Sequence, residues 1–330
     1  MNLLTYSRRR LFLLLALISS ISLAYFSGWR EVGSDRENYI EMYRGVITNE
    51  EWTIKLWYAK DVLFLLIATV SNFFSQDARL AFFIVCFFSV ITKYLSITRF
   101  SSRYTLAFIL LYAVFLSPGL EFAAMRGALA IGFLMLALSY REQKLSYVIF
   151  SFLAIASHIS ILLPLIFTFD KINYLLTKHK VGYVLISVGT SLYGTILFRL
   201  FPYAADYQNN QGTMLAYLVP LATLFMAIFI FYRADSIRIQ HSDISVCKYI
   251  AILRPVVYGL IAVAFGISGL VVTAATRFLE MSWCLLLFAS VVLFNKSYIN
   301  LFGGLLLLAF LSFINIHRLT WIAIFYPNLG

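Results

Sequence analysis

Charge is what this sequence has least of. Asp, Glu, Lys and Arg together make 12% of its 330 residues, about half the share of a soluble domain. No stretch between the apolar runs is long enough to fold as a soluble domain. Cysteine is equally scarce. Cys86, Cys247 and Cys284 lie in or beside apolar runs, with neither metal spacing nor a disulfide framework, and they read as small buried hydrophobes. No Asp-x-Asp signature occurs, so a bound metal is not indicated, and no cofactor is expected. Internal repeats and low-complexity tracts are also missing. What fills the chain instead is apolar: 62% of its residues. A core cannot absorb that excess, so the solvent must be lipid. The net charge of +11 does not point to nucleic acid. Its basic residues sit in short clusters between apolar runs, the pattern of cytoplasmic membrane loops.

The expected fold is all-α: one polytopic transmembrane domain over 1–330, with about 10–12 membrane segments. A helix needs about 20 apolar residues to cross the hydrocarbon core. The candidate segments are 10–27, 59–76, 79–98, 104–118, 121–140, 145–169, 181–201, 213–232, 249–268, 270–293 and 298–316. Arg8, Arg9 and Arg10 precede the first run, which ends in Tyr-Phe-Ser-Gly-Trp rather than a small-x-small cleavage site. It reads as a retained helix with a cytoplasmic N-terminus. Inside clusters are Arg8–Arg10; Lys93, Arg99 and Arg103; Arg141 and Lys144; Lys171, Lys178 and Lys180; Arg233, Arg238 and Lys248; and Lys296. Segments 28–58 and 202–212 are expected outside, and 233–248 inside. Parity then fails for 59–76 and 145–169, whose two ends fall on one side. They are expected to be re-entrant or hairpinned, which irregular backbone permits where protein or a water-filled cavity surrounds it. The rival layout makes both plain spans and puts Lys93, Arg99 and Arg103 outside.

Polar residues that interrupt the apolar segments carry the chemistry. Ser34 to Glu37 fits a capping box and predicts a helix starting near Asp35. Asp35, Tyr39 and Tyr43 then share one face, although an acid in a first turn also simply suits the helix dipole. Arg126 opens an apolar helix, where a cation costs about 2.5–3.5 kcal/mol. It faces a cavity or snorkels to the headgroups. His158 lies mid-segment, flanked by Ser157 and Ser160 with Pro164 beyond, either as a satisfied core residue or as a proton acceptor near neutral pH. Arg277 and Glu280, three apart on a helix, can pair with each other, or Arg277 can serve a ligand. Arg199 and Arg254 read as snorkelers. In the hairpinned layout Arg30, Asp35, Tyr39, Arg126, His158 and Arg277 reach one outer side, and arginines facing one cavity suit a diphosphate.

This ordered set resembles the EpsG/Wzy family of O-antigen and exopolysaccharide polymerases. The matching pieces are Arg30 with Gly33-Ser-Asp35 and Tyr39, Met125-Arg126 followed by Ala128 and Ala130, His158-Ile-Ser160, and Arg277. Two positions depart. Family members often carry Glu-Pro where this chain reads Lys60-Asp61, so no catalytic glutamate is carried over, and the Gln that often follows the arginine is Gly127 here. The resemblance implies a glycosyltransferase of the bacterial inner membrane, with its active site facing the periplasm. Its substrate would be an undecaprenyl-diphosphate-linked oligosaccharide repeat unit. Asp35, His158, Arg126 and Arg277 are the expected catalytic residues; Arg30, Tyr39, Tyr43 and Glu280 are the expected substrate contacts. The implied partners are the lipid-linked glycan, the lipid bilayer, and the chain-length regulator, flippase and ligase of the same pathway. The competing functions are a flippase or transporter of lipid-linked sugars, an O-antigen ligase, whose large late periplasmic domain is missing, and a membrane acyltransferase, which His158 without an acidic partner in sequence does not favour.

Overall fold

The computed structural model describes residues 3–30, 35–100, 102–200, 214–238 and 244–293. No strand is found among them. The described residues up to Leu162 form one compact unit, and those from Leu163 form another.

The first unit is built around a buried helix. Its elements are α1 (Leu3–Trp29), α2 (Arg36–Thr48), α3 (Trp52–Ala59), α4 (Val62–Phe74), α5 (Ala78–Thr98) and α6 (Ser102–Leu111). A π turn (Tyr112–Leu116) leads into α7 (Ser117–Leu120), then α8 (Met125–Ser139), α9 (Lys144–Ser157) and a 3-10 turn (Ile159–Ile161). Helix α5 buries Ala81, Phe82, Val85, Cys86, Ser89, Val90 and Lys93. That spacing is the three-and-four alternation of a single buried stripe, which packs between α1 and α8. Gly132 of α8 makes the close approach possible, since a Cβ there would lie 2.2 Å from Thr92 Oγ1.

Segment 28–58, expected as a polar outer loop, holds two helices. Helix α2 starts at Arg36 with Asp35 at its N-cap, though the Asp35 side chain makes no capping bond. Ser34 lies outside the described residues. Tyr39, Met42, Tyr43 and Val46 of α2 are buried, again at three-and-four spacing, so the expected tyrosine face exists and points inward. Helix α3 leaves Trp52 and Trp57 exposed, amphipathic rings of the kind found at membrane–water interfaces.

The second unit comprises α10 (Leu162–Thr168), α11 (Asp170–Lys178), α12 (Val181–Leu200), α13 (Met214–Arg238), α14 (Ile244–Ile267) and α15 (Val272–Leu293). Helix α14 is its centre and packs against α12, α13 and α15.

Among the described residues, four helical stretches have the length and composition to cross a membrane: Arg10–Trp29, Ala78–Thr98, Cys247–Ile267 and Val272–Leu293. Ile159–Thr168 and Asp170–Lys178 form a fifth candidate, bent by 71°. Shorter apolar helices accompany them, α4, α8, α9 and parts of α12 and α13 among these. Large apolar side chains lie outward on α9 and α12, including Phe152 at 68% and Leu185 at 66% exposure. Such surfaces belong against lipid. The chain is a multi-pass helical membrane protein.

The two segments with a parity problem have unusual forms. Helix α4 has 13 residues and rises only about 20 Å, less than a hydrocarbon core of about 30 Å. Segment 145–169 breaks at His158, whose extended backbone ends α9 before the 3-10 turn begins. The expected segment 298–316 and outer loop 202–212 lie outside the described residues, as does part of 233–248.

Candidate active site

Three helix ends meet in the first unit. Lys60 closes α3 with φ 62° and donates its N–H to Leu56 O at 2.8 Å. It is the one described non-glycine residue with positive φ, and left-handed backbone at a residue with a Cβ is a strained state that gathers at functional sites. The sharp turn puts Asp61 at the N-cap of α4, 6% exposed. An N-cap acid ordinarily bonds the first backbone N–H groups. Asp61 makes no such bond. Its Oδ2 accepts instead from Arg126 Nη1 and lies 3.2 Å from His158 Nδ1. Arg126 comes from the first turn of α8, and its Nη1 also donates to Ala59 O at 3.3 Å. His158 comes from the C-cap of α9. One carboxylate thus joins the ends of three helices.

The chemistry of the cluster follows from its donors. A carboxylate only accepts, so His158 Nδ1 is the donor to it, and in the neutral ring Nε2 then keeps a lone pair. The His158 side chain is 29% exposed, against 15% for Arg126 and 4% for Asp61. The buried acid therefore orients a more open imidazole, the arrangement that lets a histidine accept a proton. Arg126 Nε is buried and has no hydrogen-bond partner. Its guanidinium lies 5.8 Å from the ring centre of Tyr39.

Arg30, just past the end of α1, is a second cation in this unit. It is 7% exposed, and Nε, Nη1 and Nη2 are all without a hydrogen-bond partner. Its guanidinium lies 5.4 Å from the ring centre of Phe122. Burial pushes its pKa down to about 10, so it is still a cation at neutral pH. Buried unpartnered guanidinium groups are costly, and a carboxylate or phosphate is the group that pairs with one most strongly.

The other expected residues are placed as follows. Tyr39 is buried against Phe64 and Phe82. Tyr43 donates its hydroxyl to Ser75 O at 3.0 Å. Arg277 and Glu280 belong to the second unit, where Arg277 Nη1 donates to Glu280 Oε2 at 3.0 Å. The structure therefore brings Arg126, His158 and Tyr39 together, and it gives Arg277 a partner on its own helix.

Asp61 escaped sequence reasoning, although a lone acid heading an apolar run was a signal. A second missed group is Lys93, counted with Arg99 and Arg103 as an inside charge at the end of segment 79–98. It is 0% exposed, three-quarters of the way along α5, in an ion pair of 2.9 Å with an equally buried Glu121. Lys93 Nζ also donates to Ser89 Oγ at 2.6 Å and Ala128 O at 2.7 Å. Ser89 and Tyr112 donate to the same Glu121 oxygen. The pair fixes the turn before Met125 and hence the place where Arg126 leaves the backbone. Lys93 can no longer be counted toward the orientation of the chain.

The EpsG family model matches residues 13–326. The chain belongs to the EpsG family. This is a Wzy-type exopolysaccharide and O-antigen polymerase family, and its membership covers nearly the whole chain, both units included. Neither a curated protein nor a solved structure matches it. Within this EpsG protein the Lys60-Asp61 turn supplies the acid that holds His158 and Arg126.

Proposed function

We propose that this protein polymerises undecaprenyl-diphosphate-linked oligosaccharide repeat units at the periplasmic face of the inner membrane. The observation that carries the reading is the shared Asp61 carboxylate, which orients His158 and anchors Arg126 at once. The acceptor sugar hydroxyl gives its proton to His158 Nε2. Its oxygen bonds to the anomeric carbon of the growing chain as the bond from that carbon to the diphosphate oxygen breaks. The lipid diphosphate leaves with the bonding electrons. Arg126 and Arg30 stabilise the charge that develops on it, as preorganised cations do. Tyr39 of α2 and Asp35 at its N-cap position the sugar rings. Within the second unit, Arg277 acts as a phosphate-binding cation in its own right, with Glu280 setting its rotamer.

Asp61→Asn tests the reading. It keeps the shape of the side chain and removes the charge that fixes the histidine tautomer. Comparable carboxylate-to-amide changes beside a catalytic histidine cost about 10⁴ in rate. In cells making the cognate lipid-linked unit, the glycan gel should show one-repeat product without a ladder at normal protein level. A normal ladder would sink the catalytic assignment, and loss of all surface glycan would point to a flippase or ligase instead.

A further inference from the structure

The second unit contains a groove that the catalytic reading does not use. It has a volume of about 740 Å³ and lies among α11, α12, α13 and α14. Its walls are apolar along most of their length. At one end stand Lys180, Arg254 and Tyr232; at the other stand Val188, Pro220 and Phe265.

The register of the helices makes this polarity real. Ring contacts pair Tyr183 with Tyr258 and Phe231 with Tyr258. Further along, Tyr217 meets Phe265, and a Cβ on Gly266 would meet Ser187 O at 2.2 Å. Helices α12 and α14 therefore run parallel, and α13 runs against them. Lys180, Arg254 and Tyr232 then share one level, and Val188, Phe265 and Pro220 share another. From Arg254 to Phe265 the helix rises about 16 Å. That is the depth of one leaflet, half a hydrocarbon core of about 30 Å. Arg254 is held in place there. Its Nη2 donates to Phe231 O at 3.1 Å, and its guanidinium lies 5.6 Å from the Phe231 ring centre. Lys180 is exposed at the head of α12.

We propose that this groove binds one acyl chain of an anionic glycerophospholipid, with the phosphate head against Lys180 and Arg254. The walls suit a hydrocarbon chain, their length matches one leaflet, and two cations at a single end suit a net negative head. Basic pockets between membrane helices are known to take such heads. The cationic end lies beside Lys171 and Lys178 in sequence, so the lipid belongs to the leaflet on the lysine-rich side. It does not rest on the proposed catalysis.

The full-length protein in detergent, incubated with equal concentrations of phosphatidylglycerol and phosphatidylcholine of identical chains, is read by native mass spectrometry. Phosphatidylglycerol adducts should exceed phosphatidylcholine adducts about tenfold, given two basic contacts to the head. The double variant K180Q/R254Q should bring the ratio to about one. Val188→Trp should reduce both adducts by filling the apolar end, at a position already 51% exposed, so it decides the matter even if the double variant does not fold. Equal adducts in the wild type, or a preference surviving both variants, would overturn the proposal. Displacement of phosphatidylglycerol by equimolar undecaprenyl phosphate would overturn it too, assigning the groove to the carrier lipid.

Discussion

Arg30→Met should make the protein more stable and less active. Arg30 keeps a cation in a site with 7% exposure and no hydrogen bond from any guanidinium nitrogen. Burial lowers its pKa from 12.5 to about 10. At 1.36 kcal/mol for each pKa unit, holding the charge there costs about 3 kcal/mol. Met has a similar length, carries no charge, and its thioether suits the Phe122 ring that now lies under the guanidinium. The substitution should therefore recover about 2–3 kcal/mol, since replacing buried charge by apolar volume is often stabilising. For a protein of this size that corresponds to a rise of about 3–4 °C in Tm. Thermal unfolding of the detergent-solubilised protein measures it, and the glycan ladder of cells carrying the variant measures the other half. Higher stability with a shortened or absent ladder is the signature of a residue kept for its ligand. A fall in Tm, or an unchanged ladder, would refute the assignment of Arg30 to an anion.

Three further predictions concern the packing that supports the site. Lys93→Met should cost about 3–5 kcal/mol by stranding Glu121, while K93M/E121Q should recover most of that loss; equal instability of the two, by thermal unfolding, would show that the pair does not govern the site. Gly132→Ala should cost about 1–3 kcal/mol through overpacking, because its Cβ would meet Thr92 Oγ1 at 2.2 Å and Ser89 O at 2.8 Å. The same change at Gly189, where a Cβ meets nothing within 4 Å, should stay within about 0.5 kcal/mol. R277Q/E280Q should leave expression intact, because both halves of the ion pair are neutralised together, yet remove long chains from the ladder; normal chain length would reduce the pair to helix support.

The membrane class and the places of Arg126 and His158 were legible because each leaves a local mark. Apolar runs mark spans, and an arginine or histidine inside such a run is conspicuous. Asp61 was less visible, since its role depends on two partners 65 and 97 residues away and on a left-handed Lys60 that no propensity favours. Lys93 misled for the opposite reason. Positive-inside reasoning reads a lysine near a segment end as a loop residue, and only the placement of Glu121 on a neighbouring element shows that it is paired. Segment 28–58 was read as an outer loop from its polar composition, with one helix starting near Asp35; α3 within it was not foreseen. Its three-and-four spacing of Tyr39, Met42, Tyr43 and Val46 already carried a helix, as α2 shows.

The buried Lys93–Glu121 pair also bears on how the protein is made. Lys93 emerges from the ribosome 28 residues ahead of its partner. Until then α5 presents a lone cation to the membrane five residues before its end, at a cost below the about 2.5–3.5 kcal/mol of a central position. After Glu121 and Tyr112 arrive, the charge is satisfied from within. Stable integration of α5 is thereby coupled to synthesis of the chain up to α8, so a truncation between Thr98 and Glu121 should release α5 from the bilayer, whereas one beyond Ser139 should retain it.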